Sequence, residues 1–234
     1  MVAKIRQHYP IAKLVAAFGL GLLLPIALTH GSAHSAAGSN PNQTPFEKAL
    51  QPYYPDIVKA LLINGVVDPD LKGASADQMT AAMVTNGMQV IDDDTALEVL
   101  KLRAEMANRA NTEVCAHMWT GDYDPSLIQQ INALPDNQQR VWAAIFDRAA
   151  QAIIRGKPRI PPPQPEETQE AIRLILKRAS PTDSSALVSA ARNPQATSSD
   201  QVCEATRALY AGATRLPRTD ALVIARTILS SRGS

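Results

Sequence analysis

Cys115 and Cys203 are the only cysteines of this 234-residue chain, and they are the first side chains to examine for chemistry. His117 stands two residues after Cys115, a spacing that suits a thiolate with its base or half of a metal site. The other three histidines, His8, His30 and His34, all lie near the N-terminus, so a metal held by Cys115 and His117 lacks further ligands of matching softness. No metal and no cofactor are expected. The two cysteines read as one disulfide, which would close a loop of roughly 90 residues and, in the chain-entropy picture, stabilise by at most about 4 to 5 kcal/mol. His117 then reads as a histidine at a helix end, where its positive form favours the dipole.

Carboxylates are the second candidate. Glu98, Glu105 and Glu113 lie seven and eight residues apart, close to one stripe of a helix, and Asp122 and Asp124 follow. Helical enzymes that cut peptidoglycan glycan strands can work with a buried glutamate or a pair of acids, so a carboxylate-dependent cell-wall hydrolase is the alternative function. It requires one of the three glutamates to be buried in a cleft without a basic partner. An acidic stripe beside an apolar face is more simply solvated surface. Other catalytic signatures are missing from the sequence: there is no Gly-x-Ser-x-Gly, no Gly-x-Gly-x-x-Gly and no Gly-x-x-x-x-Gly-Lys. The run Asp92, Asp93, Asp94 lacks the glycine and Asx spacing of a calcium loop and suits the positive end of a helix instead.

Charge is distributed unevenly. The 23 Lys plus Arg and 22 Asp plus Glu sum to +1, which gives no whole-chain attraction to nucleic acid. Between Asp92 and Leu134, however, eight acids face three bases, a net −5, whereas from Ala171 onward nine bases face four acids, a net +5. These opposite regions are expected to meet inside the fold. The alternative is a docking face bearing Arg207, Arg215, Arg218 and Arg226, with Arg232 beyond them, for an acidic partner. Trp119 is an anchor for that partner or a lid on the core.

These residues need elements to hold them. Residues 1 to 37 form a three-part export signal: Lys4, Arg6 and Lys13, then the apolar run Leu14 to Leu28, then small residues with cleavage expected between about 33 and 37. The localisation that follows is periplasmic or secreted, with an inner-membrane anchor as the alternative if the segment is kept. Residues 38 to 44 form a flexible polar leader. From 45 onward the chain reads as all-α, one compact bundle of about eight or nine helices with a Pro-rich connector at 158 to 165. The 37 alanines favour helix, and alternation at period two is absent.

Helix starts are marked at Thr44-Pro45, Ser75, Thr95, Asp124-Pro125, Pro135-Asp136, Ser180-Pro181 and Ser199 or Asp200. Pro52 and Pro55 are expected to interrupt the first helix, with a second segment ending at Gly65, a loop over 66 to 74 and a third helix ending at Gly87. Val99, Leu102, Met106, Ala110, Val114 and Met118 recur at helical spacing, which predicts one long helix carrying Cys115. The sequence as a whole points to an exported helical binding protein of the bacterial cell envelope that acts through an envelope protein partner. Membrane contact is expected only through the N-terminal segment, if it is uncleaved.

Overall fold

The computed structural model describes residues 44–67, 86–120, 131–193 and 196–230. Thr44 opens the first helix, α1 (Pro45–Leu50), by accepting the Glu47 amide on its hydroxyl while the Glu47 carboxylate takes the Thr44 amide. Each group satisfies a donor that the helix start leaves open. A 3₁₀ turn (Gln51–Tyr53) leads directly into α2 (Tyr54–Val67). The first α-helix thus ends just before Pro52, as the prolines lead one to expect, and a separate helix begins at Tyr54. Each falls in the first turn of its element, where the missing amide is not needed. Gly65 lies inside α2, not at its end.

Residues 86–90 are helical, so Gly87 is not a helix stop either. It is a contact glycine: a Cβ there would lie 2.9 Å from the Ala149 Cβ. The Ser75 start and most of the 66 to 74 loop lie outside the described residues, as does the Asp124-Pro125 start.

The predicted long helix is two helices, α3 (Asp93–Arg109) and α4 (Thr112–Thr120). Ala110 leaves the helical conformation with ψ 147°, and the Asn111 side chain then accepts the Val114 amide at 2.9 Å to start α4. The periodicity concealed the break because both helices bury their apolar faces on one neighbour. The cap of α3 is Asp92 and not Thr95: its carboxylate accepts the Thr95 amide at 2.8 Å, which puts Asp93 and Asp94 into the first turn. Thr95 itself is buried.

Five helices follow: α5 (Asp136–Ile154), α6 (Pro165–Arg178), α7 (Pro181–Arg192), α8 (Ser199–Thr214) and α9 (Arg218–Ser230). Pro165 and Pro181 occupy first-turn positions. Ser198, one residue before the expected caps, opens α8 by accepting the Gln201 amide. The connector before α6 has no regular secondary structure, and the Ile160 amide ties it to the Gln89 carbonyl. Among the described residues there is no strand, and no helix is long and apolar enough to cross a membrane.

The bundle is organised around two helices. α8 packs against α3, α4, α6, α7 and α9, burying Val202, Ala205, Thr206, Tyr210 and Ala213. α5 takes α1, α2 and α3, with Trp142, Ile145, Phe146 and Ala149 turned inward. The Phe146 ring meets the Phe46 ring edge-on at 5.9 Å, which fastens α1 to α5. Alanine and glycine at these contacts let helix backbones approach closely: a Cβ on Gly212 would lie 2.5 Å from the Ile175 Cγ2.

Candidate binding site

The disulfide is present. Cys115 on α4 and Cys203 on α8 are joined, 88 residues apart in sequence, and both are buried. The cysteine beside His117 is thereby used structurally, and His117 lies exposed in the last turn of α4. Trp119 is half-buried and packs against the core.

The three glutamates of the hydrolase alternative do not meet its requirement. Glu98 is ion-paired with Arg148 of α5, Glu105 pairs with Arg109 at 3.1 Å on the surface of α3, and Glu113 is exposed. No group of three or more metal-ligating side chains is found among the described residues. Asp122 and Asp124 lie outside those residues.

The arginines of the C-terminal third divide into two kinds. Arg207 reaches from α8 to the end of α3 and donates to the Ala107 and Ala110 carbonyls, both at 3.0 Å. It thus places a cation on the negative end of that helix. Arg226 on α9 has a side chain only 7% exposed and donates to the Ile91 carbonyl at 2.9 Å and to Asp93 at 2.6 Å. Arg218 pairs with Asp94 at 2.5 Å in the open, and Arg215 is exposed beside Arg178, which donates to the Arg215 carbonyl. The acidic and basic regions do meet inside the fold. Arg207 and Arg226 are spent on that contact and do not join Arg215 and Arg218 in one open face; Arg232 lies outside the described residues.

A different basic surface lies at the C-terminal end of α5. The helix ends in a Schellman turn: the Lys157 amide closes on the Ala152 carbonyl and the Gly156 amide on the Ile153 carbonyl, with Gly156 at φ +63°. That reversal brings Lys157 back beside Arg155 and Arg148. The three cations, with Gln151 and Asp92, line a small open recess. Arg159, two residues after Lys157, is exposed and donates to Asn86 at 2.7 Å. Asp92 is the acid in the recess, but it is occupied as the α3 cap. Hydrogen bonds from Thr95, the backbone amide first, hold its carboxyl below the usual range, helped by Lys157 and Arg148. Arg148 is also committed, to Glu98 and to the Thr95 hydroxyl. The recess cations without an acidic partner among the described residues are therefore Arg155, which donates to the neutral Gln151 amide, and Lys157, with Arg159 two residues further along the chain.

The sequence reading missed this surface because it summed charge over long regions. The local signal was the alternation Arg155, Lys157, Arg159 across a helix-ending glycine, three bases without an acid. No protein family model, no characterised protein and no solved structure is similar enough to match the chain.

Proposed function

We propose that the chain is an exported, non-enzymatic binding protein of the bacterial cell envelope, and that it docks an acidic segment of a protein partner on the recess at the end of α5. The observation that carries this reading is the recess itself: concave, lined by cations from one helix end, and containing an acid already committed as a helix cap. Export is supported by the three-part leader in the sequence and by a buried disulfide, the kind of bond that persists in oxidising compartments. The non-enzymatic reading is supported by the ion pairs that occupy Glu98 and Glu105.

The test is co-purification from envelope extracts with wild type and with the double charge reversal Arg155→Glu, Lys157→Glu. Wild type should retain a partner that the variant loses, and added salt should weaken the wild-type capture because contacts between exposed charges are screened. The same proteins retained by both forms, or none retained by either, would reject the reading.

A further inference from the structure

The contact between α2 and α5 carries an unusual polar pair. Gln151 on α5 donates its side-chain nitrogen to Asp147, one turn earlier on the same helix, at 3.0 Å, and to Asp56 on α2 at 3.3 Å. Its side-chain carbonyl accepts from Arg155 at 2.6 Å, which fixes the amide with its nitrogen facing the two acids. One amide nitrogen has two hydrogens, enough for one per carboxylate and no more. The second oxygen of Asp147 is buried and has no hydrogen-bond partner among the described residues.

The surrounding charges do not relieve this. Arg148 neighbours Asp147 and attracts its charged form, but its guanidinium is engaged by Glu98 and Thr95 of α3. Among the other elements packed on α5, α1 brings Glu47 and Lys48, and α2 brings Tyr54 and Lys59. None of their side chains donates to either carboxylate. A proton on one carboxyl would supply the missing O–H donor and remove the repulsion. Neither acid lines the basic recess.

We propose that a proton on Asp147, facing Asp56 across the Gln151 amide, makes this contact an acid-strengthened clasp that holds α1 and α2 on α5 at low pH and loosens them as pH rises. The direction follows from the acids themselves. Burial pushes the Asp147 carboxyl above its ordinary value, and the charge of Asp56 and the hydrogen bond with it add to the effect, against the Gln151 hydrogen bond. The added stability is therefore fully present below the ordinary carboxylate range and is lost as pH climbs through the raised value. What the clasp guards is apolar: α1 seats Phe46 and Leu50 against α5, so its release uncovers Phe146 and the inner face around it.

Hydrogen exchange of the full chain, corrected for intrinsic chemistry, tests this by comparing about pH 4 with about pH 7. Amides of residues 44–67 should be more protected at the lower pH, by roughly tenfold for each unit that Asp147 titrates above an ordinary carboxylate, whereas α8 amides serve as the internal reference. Asp147→Asn and Asp56→Asn should each raise protection at neutral pH toward the acid level, and the double variant should add little. Equal wild-type protection at both pH values would overturn the clasp, as would asparagine variants that keep the wild-type pH dependence. The wild-type comparison decides alone if a variant does not fold.

Discussion

Arg207 is a side chain whose role is set by what it reaches. Its guanidinium fork spans the Ala107 and Ala110 carbonyls where α3 stops, so one residue of α8 satisfies two acceptors that α3 leaves open. Arg207→Ala should cost about 1 to 3 kcal/mol, the range for leaving partly buried acceptors without a donor. Arg207→Lys should recover only part of that, because an ammonium does not reproduce the fork. Urea unfolding of both variants checks the prediction; a loss below a few tenths for alanine would mean that water caps α3 equally well. Arg218 gives the contrast. Its pair with Asp94 stands in solvent, 63% and 81% exposed, and such pairs contribute little.

At the scale of elements, α6 and α8 touch through a missing side chain. Gly212 is half-buried within α8, and the Ile175 methyl occupies the space its Cβ would take. Glycine to alanine normally strengthens a helix by about 1 kcal/mol, yet Gly212→Ala should weaken this protein by about 1 to 3 kcal/mol, because Ile175 is buried and has little room to move. Thermal unfolding reads the sign directly, and a stabilised variant would show that Ile175 repacks freely.

Most helix borders were legible in the sequence because they are local chemistry. Thr44 with Pro45, Ser180 with Pro181, and Gly156 before Pro158 all mark ends that the structure has. The break at Ala110 was not, since neither Ala110 nor Asn111 is a strong breaker and the apolar spacing runs straight through. What divides α3 from α4 is an Asn111 cap on one side and an arginine from 97 residues further along on the other. The basic recess was hidden for a related reason. Its cations come from one stretch, but its concavity depends on Asp92 and Ile91 arriving from another element.

For the whole molecule, the acidic middle and the basic C-terminal third are brought together by α3, α4, α8 and α9, and the disulfide makes that meeting covalent. Arg226 on Asp93 at one end of α3 and Arg207 on Ala110 at the other hold the helix between them. Reduction of Cys115–Cys203 should lower the unfolding free energy by up to about 4 to 5 kcal/mol, the ceiling for a loop of 88 residues, and native strain would reduce it. Urea unfolding with and without reductant measures it. Coincident curves would mean that the α4 and α8 contact holds the loop closed unaided.

The same bond gives the chain a ring and two tails. The ring runs from Cys115 to Cys203 and contains α5, α6, α7 and the exposed proline connector; α1, α2 and α3 form one tail, and most of α8 with α9 the other. A peptide bond severed in the connector would open the ring but leave both pieces covalently attached, and α5 would keep its packing against α1 and α2. A cut between α3 and Cys115 would instead detach everything upstream. The connector is thus an exposed segment at which the protein tolerates a protease without coming apart.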